Sequence, residues 1–236
     1  MSYIASKNLS RQYGKGDAAV SALAEINLSI GLGEFVAIMG ESGAGKSTLL
    51  SIMGAMNEPT TGRYLVDDID VYSLNQEKRA DFRREFLGFI FQSFHLMPYL
   101  TVIENVLLPL TAQKISRKEK REMARQALEN VGLADKANRL PSQISGGEKE
   151  RVAIARAIVN RPPVILADEP TGNLDTRTSR EIMELLQTLN RLGTTIVMVT
   201  HSQWCSRYAN RLLTVSDGKI TDEIINANES SGLKGD

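Results

Sequence analysis

The chain has 236 residues, of which 42% are hydrophobic and 24% charged, a composition typical of a globular protein with one large domain. Its 28 basic and 28 acidic side chains cancel, which is unlike the strongly basic balance of a nucleic-acid-binding protein, so we expect no nucleic-acid partner. One cysteine, Cys205, excludes a disulfide within the chain, and every apolar run is too short for a membrane span.

The N-terminal part predicts strands followed by a glycine-rich loop and a helix. Short alternating apolar stretches over residues 3–39 predict strands, with Phe35–Met39 buried and ending at Gly40. After Lys46 the apolar residues recur with helical spacing, which predicts one buried face formed by Leu49, Ile52, Met53 and Met56. This order is the context in which a glycine-rich loop binds phosphate.

The loop matches the pattern G-x-x-x-x-G-K-[ST] between Gly40 and Ser47. Its glycines let the backbone turn tightly and aim N–H groups at phosphate oxygens, and the following helix presents its positive end. Lys46 adds a full positive charge, and the Ser47 hydroxyl is suited to ligate Mg²⁺. We therefore predict a nucleotide site formed by Gly40, Ser42, Gly43, Ala44, Gly45, Lys46, Ser47 and Thr48.

A charge-rich block from about Arg79 to Asn138 predicts mostly helix. We expect a single domain over residues 1–228, with an α/β core of 1–91 and 160–228, a helical subdomain of about 92–159, and a flexible tail of 229–236. The apolar segment Phe94–Leu100 has two interpretations: a hinge buried against the helical block, or a partly exposed groove for a partner helix.

A second candidate anion site is the run Ile144-Ser145-Gly146-Gly147-Glu148. Ser145 is suited to cap a helix that begins near Gly147, and the N–H groups of that helix end are available to an anion. A domain with one phosphate site already can best use a second one in trans. This predicts two nucleotides held between two copies of the chain.

The α/β pattern returns near Pro162, with a predicted strand over Val164–Ala167 that ends in Asp168 and Glu169. Carboxylates at the end of a buried parallel strand lie where α/β folds bind ligands. Asp168 is suited to hold Mg²⁺ and Glu169 to polarise an attacking water. Ordinary strand-end acids are the alternative, which the glycine-rich loop disfavours.

The C-terminal third predicts one more helix and one more strand. Asp175 is suited to cap the helix, and Gly193 to end it. Thr195–Thr200 predicts a strand that places His201 at its end.

In this order, from about Tyr13 to His201, the motifs resemble those of the ATP-binding cassette (ABC) ATPases. The resemblance implies an α/β fold, with a P-loop NTPase (RecA-like) core, an antiparallel β region and an inserted helical subdomain. It also implies ATP and Mg²⁺ as cofactors, and hydrolysis of ATP. The family places glutamine most often where this chain has Glu148.

The resemblance also implies roles for individual residues. Tyr13 matches the aromatic residue that stacks on adenine, Gln92 the glutamine that senses Mg²⁺ and the γ-phosphate, and Glu169 the catalytic glutamate. Ser145, Gly146 and Gly147 match the signature that reaches the partner's γ-phosphate, Asp175 lies in the loop that crosses the dimer interface, and His201 matches the switch histidine.

Four runs narrow the resemblance to the branch of lipoprotein-releasing, macrolide-exporting and antimicrobial-peptide-transporting ATPases; they are Gly33–Gly40, Phe91–Pro98, Glu104–Val106 and Ala167–Asp175. This branch implies a homodimer in the ATP-bound state, peripheral at the cytoplasmic face of the cell membrane. It would drive an integral membrane permease contacted through about Phe94–Leu100. One alternative is an ABC ATPase that regulates a cell-division or cell-wall complex without moving a cargo. The other is a non-membrane ABC protein that acts on DNA or ribosomes, which the neutral charge and the lack of a long coiled coil or a second cassette disfavour.

Overall fold

A computed structural model describes residues 2–14 and 16–226 and contains two sheets. The strands are β1 (Ile4–Tyr13), β2 (Val20–Ile30), β3 (Phe35–Met39), β4 (Thr61–Val66), β5 (Ile69–Asp70), β6 (Leu87–Phe91), β7 (Val164–Asp168), β8 (Thr195–Val199), β9 (Arg211–Ser216) and β10 (Lys219–Ile225). The helices are α1 (Lys46–Met53), α2 (Gln76–Phe86), α3 (Val102–Leu107), α4 (Arg117–Asn130), α5 (Gly146–Ile158), α6 (Thr176–Arg191) and α7 (Gln203–Ser206).

The larger sheet has the strand order β10-β9-β3-β8-β7-β6. From β9 to β6 all neighbouring strands are parallel, and only β10 pairs antiparallel. The residues of β8 are all buried, as are all but the last residue of β3 and of β7. Strands buried on both faces require continuous apolar sequence, which explains the unbroken apolar runs of these segments.

The smaller sheet is antiparallel and has the order β2-β1-β4-β5. Leu9, Leu23 and Ile26 from this sheet pack in one core with Val36 of β3 and Leu49 of α1. The fold class predicted from the sequence, a P-loop core with an antiparallel β region and an inserted helical block, is therefore confirmed.

One local prediction was wrong. Helix α1 ends at Met53, and Met56 is 48% exposed instead of lying on the buried face, because Gly54 caps the helix and Ala55 turns the chain with φ +52°. The block predicted as mostly helical contains α3, α4 and most of α2, but also one strand that was not predicted, β6, whose register pairs Phe91 with Asp168. A short apolar run cannot be assigned to strand or helix from periodicity alone.

Helices α3, α4 and α5 pack on one another around Val102, Val106, Leu128 and Val152. The subdomain boundaries stay a prediction, and the predicted tail, residues 229–236, lies outside the described residues. Over 2–14 and 16–226, no helix combines the length and the apolar character that crossing a bilayer requires.

A buried carboxyl group lies in α5. Glu150 is 1% exposed, and its Oε1 has no hydrogen-bond partner within the described residues. Burial raises the pKa of Glu150 from 4.5 to about 8, and the charge of Arg156 opposes that rise. The native state therefore holds a proton that the unfolded chain releases at neutral pH.

We expect Glu150→Gln to raise the free energy of unfolding at pH 8 by roughly 1–3 kcal/mol. Because the folded pKa exceeds the unfolded one, the stability that the carboxyl contributes is complete below about pH 4 and is lost as the pH rises through about 8. Urea unfolding at pH 4.5 and at pH 8, with the exposed Glu129→Gln as control, measures the effect. A gain of equal size at both pH values would contradict the titration.

Candidate functional site

The glycine-rich loop joins β3 to α1 and leaves the N-terminus of α1 open. Gly45 precedes the helix with φ +103°, and its position makes no side-chain cap, so the first N–H groups stay available to an anion. A Cβ at Gly45 would collide with the carbonyl oxygen of Ala22, which explains why glycine is needed there.

The Lys46 side chain folds back over this loop. Its Nζ donates to the carbonyl oxygens of Gly40 and Glu41, each at 2.7 Å. The ammonium group is thereby held at the mouth of the loop, beside the open helix end. Two positive features, the helix N-terminus and the lysine, converge on one point.

The strand order brings the other predicted residues to this loop. β3, β8, β7 and β6 are consecutive neighbours and parallel, so their carboxyl ends meet at one edge of the sheet. His201 follows β8, Glu169 follows β7 and Gln92 follows β6, while Asp168 is the last residue of β7. Residues far apart in the chain thus face the glycine-rich loop together.

A cavity of about 410 Å³ lies at this edge. Among the predicted site residues, its lining contains Gly40, Ser42, Gly43, Gly45, Lys46, Ser47, Thr48, Gln92, Asp168, Glu169 and His201. Ala22 of β2 and Val199 of β8 complete it. Sequence reasoning missed these two because they contribute backbone and shape without a chemical signature.

Glu169 has a constrained backbone and a fixed side chain. Its φ is +49°, an unfavourable region for a residue with a Cβ, and its N–H donates to the Val199 carbonyl at 2.9 Å. Its Oε1 lies 2.7 Å from Nδ1 of His201, a distance at which the protonated ring nitrogen donates. The histidine therefore orients the carboxylate in the cavity.

Asp168 differs from Glu169 in its electrostatics. Burial raises the pKa of Asp168, the neighbouring Glu169 charge raises it further, and Lys46 opposes both. A cation bound beside the two carboxylates would therefore stabilise the ionised form of Asp168.

Gln92 is anchored to the segment that follows β7. Nδ2 of Asn173 donates to the Gln92 carbonyl at 2.8 Å, and a Cβ at Gly172 would lie 2.9 Å from Nε2 of the Gln92 side chain. A shift in the position of either segment is therefore transmitted to the other through these contacts.

The remaining predicted site residues lie outside this cavity. Ala44 is buried within the loop, where its carbonyl accepts from the N–H of Gly218 at 3.0 Å. Tyr13 is partly exposed, with the Arg11 guanidinium 4.6 Å from its ring centroid. The other four, Ser145, Gly146, Gly147 and Asp175, lie at the N-termini of α5 and α6.

Both helix N-termini are capped as predicted. The Oγ of Ser145 accepts from the N–H of Glu148 at 3.2 Å, and Oδ1 of Asp175 accepts from the N–H of Thr178 at 3.0 Å. The two ends touch, since a Cβ at Gly147 would collide with the Thr178 methyl group. They form one face, separate from the cavity lining.

Arg156 is a structural residue that sequence reasoning missed. Its guanidinium donates to the carbonyls of Phe94 and His95 at 2.7 and 2.6 Å, where both residues have positive φ, +59° and +46°. Asn105 acts similarly further along, accepting from the N–H of Met97 at 2.7 Å and donating to the Leu100 carbonyl at 3.0 Å. The apolar segment is thus held in a defined shape by two polar side chains.

The fold, with its glycine-rich loop and strand-end acids, defines a P-loop nucleotide-binding enzyme. A family model described as ABC transporter matches residues 23–172. The uncharacterized ABC transporter ATP-binding protein YvrO of Bacillus subtilis is 48% identical over 213 residues, covering 90% of this chain and 93% of that protein. The chain therefore belongs to the ABC transporter family, and it is an ABC ATPase.

Two further comparisons concern a dimeric relative and a relative named for export. The dimeric structure of the ATP-binding cassette MJ0796 in a post-hydrolysis state, bound to ADP and Pi, has a TM-score of 0.87 and 42% identity, covering 95% of this chain and 99% of that one. The macrolide export ATP-binding/permease protein MacB of Vibrio parahaemolyticus is 42% identical over 221 residues, which is 94% of this chain but 34% of that protein.

Proposed function

We propose that this chain binds ATP with Mg²⁺ in the 410 Å³ cavity, dimerises around two ATP molecules, and powers a membrane protein of an export or mechanotransmission complex. One observation carries the proposal: the cavity at the sheet edge holds a phosphate loop and a carboxylate, while a second capped helix end, at Ser145, lies outside it. A site divided in this way is complete only when two copies meet.

The residues of the cavity fit the chemistry of ATP hydrolysis. The loop N–H groups and Lys46 match the charge of the phosphates, and Glu169 is placed to polarise a water. The Ser47 hydroxyl, the Gln92 amide oxygen and the Asp168 carboxylate are hard oxygen donors of the kind that Mg²⁺ binds together with water. The described residues contain no cluster of three His, Cys, Asp or Glu side chains that could hold a metal ion.

The dimer is supported by the structural relatives and by the face at α5 and α6. MJ0796 is described as dimeric and bound to ADP and Pi. We infer that Ser145, Gly146 and Gly147 of one copy meet the γ-phosphate bound to the other copy, with Asp175 at the interface and Tyr13 against adenine. Hydrolysis then cleaves the bridging γ-phosphate, and release of that phosphate lets the copies part.

The partner surface is the apolar segment Phe94–Leu100 and the cleft beside it. Tyr99 is 91% exposed, although Arg156 and Asn105 hold the surrounding segment in place. A cleft of about 810 Å³ borders this segment at His95. An ordered loop with an exposed aromatic side chain beside a cleft is typical of a docking site.

We infer that an integral membrane permease docks here, which would place the chain at the cytoplasmic face of the membrane. The MacB relatives, named as macrolide export ATP-binding/permease proteins, support a complex of the drug export type. The cleft is lined by Arg83, Arg84 and Arg156 among apolar side chains, so an amphipathic segment with an acidic residue suits it.

The test is a pull-down from native membranes with the Glu169→Gln variant and ATP. We expect a membrane protein with few spans and a large extracytoplasmic domain, and we expect its recovery to fall severalfold when Tyr99→Ser is added. Leu192→Ser is the matched control, because Leu192 is 79% exposed but lies at the end of α6, outside Phe94–Leu100 and the cleft. Recovery of ribosomes, nucleic acid or a cell-wall regulator instead would overturn the export assignment.

A further inference from the structure

We propose that Glu148 is an electrostatic brake on the ATP-bound dimer: its carboxylate stands at the helix end that must approach the partner copy's triphosphate, and it keeps the closed dimer reversible. This inference rests on the proposed function, since it requires the phosphate of one copy to meet the α5 N-terminus of the other. It concerns the one residue of the signature run where the chain departs from the usual glutamine.

The carboxylate of Glu148 is folded over the first turn of α5. Its Oε2 accepts from the N–H of Ser145 at 2.7 Å, while its own N–H donates to the Ser145 Oγ at 3.2 Å. The side chain therefore satisfies one of the donors of the helix end and places a negative charge beside the others. An incoming phosphate meets this charge as well as the N–H groups.

The charge persists at neutral pH. The backbone hydrogen bond from Ser145 lowers the pKa of Glu148 further below neutrality. The nearest cation is Lys136, whose Nζ lies 3.9 Å from Oε1 of Glu148 but 3.4 Å from a carboxylate oxygen of Asp135. One ammonium group thus serves two carboxylates and neutralises Glu148 only in part.

A second carboxylate shares this face. Asp175 caps α6, where its Oδ2 accepts from the Thr178 hydroxyl at 2.6 Å, and Gly147 packs against the same Thr178. The nearby Arg177 is paired with Glu181 at 3.4 Å. The face that must approach a triphosphate therefore carries two carboxylates, whose negative charges repel those of the phosphates.

A purely structural role for Glu148, as a helix cap, makes a different prediction. The same capping box occurs at the start of α4, where Oε2 of Glu119 accepts from the N–H of Ser116 at 2.9 Å and Ser116 Oγ accepts from the N–H of Glu119 at 3.2 Å. Glu119 lies in the first turn of α4, outside the face formed by the N-termini of α5 and α6. Neutralising Glu119 removes a cap charge without changing the charge that faces a nucleotide, so it is the matched control.

The experiment measures the dimer dissociation constant with ATP by sedimentation, in the Glu169→Gln background. Adding Glu148→Gln should lower that constant about tenfold at low salt, because two carboxylate–triphosphate repulsions disappear per dimer. Glutamine keeps the capping hydrogen bond, so the helix stays intact. The difference should shrink to about twofold at high salt, since exposed charges are screened.

Glu119→Gln should leave the dissociation constant unchanged, and Lys136→Ala should raise it severalfold by removing the counter-ion of Glu148. If Glu148→Gln leaves the dissociation constant unchanged or raises it, at an unchanged melting temperature, the proposed role of Glu148 is wrong. It is also wrong if Glu119→Gln lowers the dissociation constant as much as Glu148→Gln does. If Glu148→Gln fails to fold, a Lys136→Ala dimer as tight as the parent overturns it. A Glu169→Gln parent that stays monomeric with ATP is a separate result, which overturns the proposed dimer itself.

Discussion

Glu169→Gln is expected to lower the rate of ATP hydrolysis about a thousandfold while leaving ATP bound. Glutamine retains the size of the side chain and a hydrogen bond to His201, but it cannot polarise a water as a carboxylate does. With the bond to the γ-phosphate uncleaved, the two copies should remain together. The expected product is a stable dimer that forms with ATP and Mg²⁺ and that disappears when ADP replaces ATP.

Single-turnover experiments measure the rate of ATP hydrolysis, and size-exclusion chromatography measures the formation of the dimer. Glu184→Gln, at an exposed position of α6, removes the same charge away from the cavity and should behave as the parent protein does. A Glu169→Gln protein that hydrolyses ATP at a tenth of the parental rate or faster would exclude Glu169 as the residue that activates water.

Lys46→Ala is expected to weaken ATP binding by about a hundredfold and to abolish turnover at ordinary ATP concentrations. The Nζ of Lys46 lies at the mouth of the phosphate loop, held there by the carbonyls of Gly40 and Glu41. Removing it takes away the one full positive charge that the cavity lining offers to the phosphates, within the part of the chain that the structure describes.

Titration calorimetry with ATP and Mg²⁺ measures the binding loss, and Lys118→Ala on the exposed face of α4 is the charge-matched control. Thermal unfolding of both variants checks that the fold is intact. Near-normal affinity of Lys46→Ala for ATP would contradict the assignment of this loop as the phosphate-binding site. The two variants of the site are complementary, because Glu169→Gln should bind without hydrolysing and Lys46→Ala should fail to bind.

Features confined to a few neighbouring residues were predictable from the sequence. The strand at Phe35–Met39 and the capping roles of Ser145 and Asp175 are confirmed, because each depends on local backbone chemistry. The fold class followed from the order of the motifs. Local rules failed where a short apolar run had to be assigned, as in β6, since strand and buried helix have the same composition there.

The sequence by itself identified the charged, hydroxyl and carboxylate residues proposed for the nucleotide site, because each lies in a short contiguous motif. Only the tertiary structure decided which of them meet: the order β3-β8-β7-β6 brings the loop, His201, Glu169 and Gln92 to one edge and leaves Ser145 outside. It also decided the places of Arg156 and Asn105, whose backbone partners have no signature in sequence. Contacts between distant segments depend on strand pairing and packing, which local periodicity does not encode.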